Sequence, residues 1–286
     1  MRVVDSHLHL WDTQVLDYTW LDGALAAVFS DEEIVDDALD EVDEEVAIFV
    51  QAETVAGQHL AEVRWVDSIA LQSGVVAIVA GARLDRGADT EWHLDALRAH
   101  ERVVGIRHLL QAEPDGFARS EAFLAGARSV ASRGWTFDAC VQARGISDVT
   151  ALAAAVPELP IVLDHLGKPR IGTAAMPQRP GAEWLRDMAE LARHPQVFCK
   201  LSGLPAETGG TWTDAQVAPF LDAALESFGP QRLMWGSDWP VSAVADVFVP
   251  GSRQAWLATV AEWAATRQVD ADALFWENAL AFYGIR

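Results

Sequence analysis

Eight short apolar runs, alternating with longer amphipathic stretches, set the limits on what this chain can fold into. The runs cover residues 3–9, 46–51, 75–80, 103–107, 136–141, 161–165, 197–201 and 233–237. Helix-like stretches occupy 57–72, 90–100, 120–132, 147–156, 182–194, 214–228 and 252–267. Unbroken Val and Ile pairs suit strands buried on both faces, and strands alternating with helices read as parallel βα units. Eight units favour closure over an open sheet. The expected fold is a (β/α)8 TIM barrel, with residues 1–286 as one domain; such barrels commonly run to about 250 residues. Ser120 and Asp214 are expected N-caps, and Gly134 and Gly229 expected terminators.

Charge and composition then exclude whole classes of partner. The formal charge of −21 would repel phosphate, which argues against nucleic acid and anionic membrane surfaces. No segment reaches the ~18 apolar residues of a membrane span. Met1 leads straight into strand-like sequence without a signal-peptide pattern, so a cytoplasmic location is expected. Cys140 and Cys199 lie in apolar runs and read as buried thiols. The acids crowded between Ser30 and Glu45 read as a solvated helix face. The expected partner is a small molecule; association of copies into a homo-oligomer stays open.

The connections 9–34, 108–119, 166–181, 202–213 and 239–250 are long, and in a barrel all would emerge at the C-terminal face, where active sites lie. Polar residues fall at the matching strand ends: His7 and His9, Gln51, Arg107 and His108, Asp138, Asp164 and His165, Lys200, and Asp238. Alternation in a strand sends His7 and His9 the same way. One polar group in a packed barrel is a satisfied hydrogen bond; so many at one end favour a site. Lys168 and Lys200 are the only lysines, and either could form a buried structural ion pair.

Five motifs stand in order: Asp5-Ser6-His7-Leu8-His9-Leu10-Trp11, Gly105-Ile106-Arg107-His108, Leu163-Asp164-His165-Leu166-Gly167-Lys168-Pro169, Lys200-Leu201-Ser202-Gly203-Leu204 and Met234-Trp235-Gly236-Ser237-Asp238-Trp239-Pro240. Together they resemble the amidohydrolase superfamily, in its branch of sugar-lactone and aromatic-lactone hydrolases. The resemblance implies that His7, His9 and Asp238 bind a divalent metal or face the substrate. Relatives often add a histidine or carboxylated lysine from strands 4 to 6. Strand 5 here offers neither, which points to one metal rather than two. Zinc suits such nitrogen and oxygen ligation, and in relatives that work without metal the same histidines would touch the lactone.

From the same resemblance His165 is expected to polarise the substrate or move a proton. Arg107 either holds a carbonyl or carboxylate or pairs with Asp138 or Asp164. Trp11, Trp20, Trp239, Gln51 and His108 are the expected substrate wall. The implied activity is hydrolysis of a lactone, most simply a sugar-acid lactone, with Asp238 taking a proton from water and returning it to the ring oxygen. A dicarboxylated pyrone would want several cationic clamps, and the motifs place only Arg107, so uncharged aldonolactones are expected to be better substrates than anionic aromatic lactones. A metal-dependent decarboxylase and a non-catalytic sugar-acid binding protein are the alternatives.

Overall fold

The computed structural model describes residues 1–244 and 247–285. Among the described residues all eight expected runs form strands: β1 (Arg2–Leu8), β2 (Glu44–Val50), β3 (Val75–Gly81), β4 (Val103–Arg107), β5 (Thr136–Ala139), β6 (Ile161–Leu163), β7 (Val197–Leu201) and β8 (Leu233–Trp235). They pair in parallel in chain order. The seam between β8 and β1 is closed just past the strand ends, where Asp238 N donates to His7 O and His9 N donates to Trp239 O, both at 2.8 Å. The result is the expected (β/α)8 barrel. Within the connection 239–250, positions 245 and 246 lie outside the described residues.

Helices follow the strands: α1 (Asp31–Asp36), α2 (His59–Ser73), α3 (Ala88–Leu97), α4 (Glu121–Ser132), α5 (Ile146–Ala155), α6 (Ala182–Leu191), the single turn α7 (Leu204–Glu207), α8 (Asp214–Phe228) and α9 (Ser252–Arg267). Ser120 caps α4 as expected, its hydroxyl accepting from Phe123 N. Thr213, rather than Asp214, is the N-cap of α8, so Asp214 instead places its charge in the first turn, where the helix dipole favours it. The acidic run divides between α1, closed by a capping box of Ser30 and Glu33, and the start of β2. Among the described residues no helix is long and apolar enough to cross a membrane.

Alternation along the strands creates two apolar layers. One packs the outside of the barrel against the helices. The other lies inside: Val4, Ile48, Val50, Ala77, Val79, Val162 and Met234 meet Trp276, Ala279, Phe282 and Tyr283 from the C-terminal α10 (Asn278–Tyr283) and the turn before it. Each large side chain buried there contributes roughly 1.5–3 kcal/mol. This apolar plug fills the N-terminal end of the lumen and leaves the other end for polar groups.

Candidate active site

Strand β1 builds the site by breaking its own alternation. Val3 packs outward and Val4 inward, so a regular strand would send Asp5 and His7 outward together. The pairing with β2 shifts register between Asp5 and Leu8, which reverses the parity. Asp5 therefore faces the helices, while His7 and His9 face the lumen. Asp5 is fully buried. It accepts from His7 N (3.2 Å), Ser237 N (2.8 Å) and the Arg253 guanidinium of α9 (3.0 and 3.1 Å), tying β1, β8 and α9 at one point. Gly236 passes so close that a Cβ there would lie 2.8 Å from the Cβ of His7.

The two imidazoles meet at their Nε2 atoms, 3.2 Å apart. His9 Nδ1 lies 2.7 Å from the carbonyl of Val50, which can only accept, so Nδ1 carries the proton and Nε2 presents a lone pair to the pocket. Asp238 Oδ1 stands 3.5 Å from His9 Nε2, 3.7 Å from His7 Nε2 and 3.6 Å from His165 Nε2. Asp238 sits at φ +57°, a left-handed conformation costly for a non-glycine residue and common at functional sites. Ser242 donates to its other oxygen at 2.8 Å. Burial lowers the pKa of all three histidines, His165 to about 4, so they are neutral near pH 7. Burial alone would raise Asp238, but the surrounding rings hold it below the usual carboxylate range.

His165 opens a left-handed turn in which His165, Leu166, Gly167 and Lys168 all have positive φ. This turn ends β6 two residues earlier than the apolar run suggests and swings His165 over the lumen. Its Nδ1 meets the Ser202 hydroxyl at 3.0 Å. Its ring rests on Gly203, where a Cβ would lie 2.3 Å from Nδ1.

Beneath these groups lies a buried charge network. Lys200 Nζ is 2.5 Å from Asp138 Oδ2, 3.2 Å from Asp164 Oδ1 and 3.0 Å from His7 Nδ1. Tyr283 reaches up from the plug and donates to Asp138 at 2.9 Å. Asp164 also faces His7 Nδ1 at 3.2 Å and Arg107 at 3.7 Å. Burial pushes the Asp138 carboxyl up; against the same burial, Lys200 and His7 hold Asp164 well below its usual range. Lys200 is thus a structural ion-pair partner. Arg107 pairs with Asp164 and donates to the Gln51 carbonyl, the salt-bridge alternative of the two readings of this residue.

Other expected substrate contacts move. Trp11 and Trp239 have essentially no exposed surface: both pack edge-on against Phe29, and the Trp11 indole donates to Leu25 O and Ala27 O. They form the packed floor under the loops rather than a face for a sugar. Trp20 is partly exposed and donates to Ala52 O. His108 points away from the lumen because its neighbour Arg107 points into it. It packs on Phe117 and Phe123 and bonds Glu113 at 3.2 Å. Gln51 is buried and clamps Glu53, accepting from its backbone N and donating to its carboxylate. Sequence reasoning missed Arg253, Ser202 and Tyr283. Ser202 stood inside a quoted motif; the other two carry no local signal.

The donor set fits a metal. Two ligand nitrogens on a tetrahedral ion at bonds of ~2.0 Å would lie about 3.3 Å apart, close to the 3.2 Å between the Nε2 atoms. Two neutral imidazoles and an ionised carboxylate converge there. A second group of possible ligands, His7, Asp164 and His165, fits less well, because Lys200 and Arg107 already meet the charge of Asp164.

Comparison with known proteins agrees with this geometry. The amidohydrolase family matches residues 4–285. An L-fucono-1,5-lactonase from Burkholderia ambifaria is 33% identical over 289 residues, covering 99% of this chain and 95% of that one. Another, from Burkholderia multivorans, is 33% identical over 254 residues, covering 85% and 83%. The crystal structure of an amidohydrolase from Burkholderia multivorans with bound zinc superposes with a TM-score of 0.82 at 30% identity over the whole of both chains. From the first barrel strand to the C-terminal plug, this chain belongs to the amidohydrolase family.

Proposed function

We propose that this enzyme hydrolyses the ester bond of a sugar-acid lactone, opening the ring to a hydroxy acid. The observation that carries the reading is the convergence of His7, His9 and His165 on the Asp238 carboxylate at the open end of the lumen. The two similar fuconolactonases support the substrate class.

His7, His9 and Asp238 would hold a zinc ion, which when bound polarises a carbonyl and acidifies water. Asp238, ionised and aimed into the cluster, accepts a proton from the attacking water. The water oxygen bonds to the ester carbon. His165, oriented by Ser202, stands where its Nε2–H can donate to the developing oxyanion; one such donor is commonly worth about 3 kcal/mol. When the ring C–O bond breaks, Asp238 returns the proton to the leaving alkoxide. Arg107 and Lys200 act from below, fixing Asp164 and the His7 ring. A decarboxylase is less supported, because β5 presents only Asp138, engaged by Lys200 and Tyr283.

A panel of sugar lactones assayed by acid release, with and without chelator, tests the reading. Ring opening of at least one sugar lactone, lost on chelation and restored by zinc, is expected. Inertness towards every sugar lactone alongside carbon dioxide release from an aromatic acid would replace it with the decarboxylase.

A further inference from the structure

The turn that carries His165 ends on Lys168 and leads into a short hairpin, Gly172–Thr173 with Met176–Pro177. Gln178 N donates to Ile171 O at 2.8 Å, and the buried Gln216 amide donates to Ile171 O and Gly172 O at 3.2 and 3.0 Å. The hairpin is therefore held from beneath, and Arg170 and Arg179 stand at its two feet. With Lys168 they line a cavity of about 770 Å³ at the C-terminal face, together with amides of Gln111, Gln142 and Gln178.

Charge in this cavity runs against the rest of the protein. Most arginines here meet a carboxylate within 4 Å, as Arg83, Arg133 and Arg267 do. Among the described residues Lys168, Arg170 and Arg179 have no such partner, and Lys168 donates instead to Gln111 Oε1 at 2.8 Å. Of the other charged lining groups, Arg144 is paired with Asp115 and Glu183 with Arg186, leaving Glu207 as the remaining carboxylate. In a chain of net charge −21, three unpaired cations against one anion amount to an anion site. Lys168, in its lining, ends the same left-handed turn that carries His165. Burial disfavours the Lys168 ammonium, and the carboxylates of Asp238 and Glu207 favour it.

We propose that Lys168, Arg170 and Arg179 form a subsite for a carboxylate borne by the substrate, so that the preferred lactone is a sugar lactone with a second, free acid group, of the aldaric monolactone class. This rests on the lactonase reading and sharpens it. The acid group docks at the hairpin while the ester carbonyl lies under His165, which shares the turn with Lys168. An uncharged aldonolactone fits the same ring position but leaves the cations facing water.

Matched lactones of one ring configuration, with and without the carboxylate, test this by steady-state kinetics. Binding of the corresponding ring-opened dicarboxylate and monocarboxylate is measured separately by calorimetry. Two solvent-exposed ion pairs should give a preference of about tenfold for the acidic member, weakening with salt. In Arg170→Gln/Arg179→Gln the ratio should fall towards one, through KM, while Arg98→Gln, which removes one charge far from the cavity, should leave it in place. Equal efficiency on both lactones, or equal affinity for both open acids, would overturn the subsite. If no lactone is opened but the dicarboxylate still binds preferentially and the double variant abolishes this, the subsite stands and the lactonase reading falls.

Discussion

Replacing Gly203 by alanine tests whether the catalytic geometry is set by one close approach. Gly203 has φ +69°, and a Cβ there would lie 2.3, 2.5 and 2.8 Å from His165 Nδ1, Cγ and Cβ. Ordinary contact begins at 3.4 Å, so the imidazole must retreat by about 1 Å. It has little room to do so: His165 is 3% exposed, its backbone is itself left-handed, and Ser202 holds its Nδ1. The left-handed alanine costs roughly 1 kcal/mol and the overpacking about 1–3 kcal/mol. A displacement of 1 Å at a group that must meet a developing charge costs about a hundredfold in rate. Gly203→Ala should therefore lose about 2–4 kcal/mol in urea unfolding, and kcat on the best sugar lactone should fall about a hundredfold while KM changes less. An alanine variant with wild-type kcat and an unmoved unfolding midpoint would refute the argument, since the ring would then be free to adjust.

Asp238→Asn keeps the side-chain shape and removes the proton acceptor, so turnover should drop by roughly a hundredfold or more with the fold intact; near-wild-type turnover in a well-folded variant would remove Asp238 from the reaction. Elemental analysis should find about one zinc per chain, lost in the paired variant His7→Ala/His9→Ala; zinc retained by that variant would place the ion elsewhere. Glu62 on α2 is fully buried, accepts from Ala52 N at 2.9 Å, and burial raises its pKa to about 8. Because the folded value lies above the ordinary glutamate value of 4.5, its contribution to stability is complete below about pH 4.5 and is lost as pH rises through 8. Glu62→Gln should accordingly gain stability relative to wild type between pH 5 and pH 9, by an amount on the order of a few kcal/mol. A stability difference between the two proteins that stays constant over that range would show that Glu62 does not titrate there.

Much of this protein was legible in its sequence. Apolar runs of five to seven residues alternating with amphipathic stretches allow few architectures, because hydrophobic periodicity is a local property and connections in parallel sheets obey strict rules. The same pattern placed His7, His9, His165 and Asp238 at strand ends on one face, where the structure brings them together. What local pattern could not supply was side-chain direction where the backbone leaves regularity. The register shift in β1 turns the histidines inward and Asp5 outward to Arg253, 248 residues away in sequence. A left-handed turn ends β6 early and lifts His165 over the lumen. His108 faces the helices because Arg107 faces the lumen, and Trp11 and Trp239 are consumed by packing on Phe29. The cations at the hairpin likewise come from a loop whose shape is fixed by Gln216 of α8. A sequence records which side chains are available at each strand end. Only the tertiary structure decides which of them turn towards the lumen, because that depends on close approaches and long-range hydrogen bonds between segments far apart in the chain.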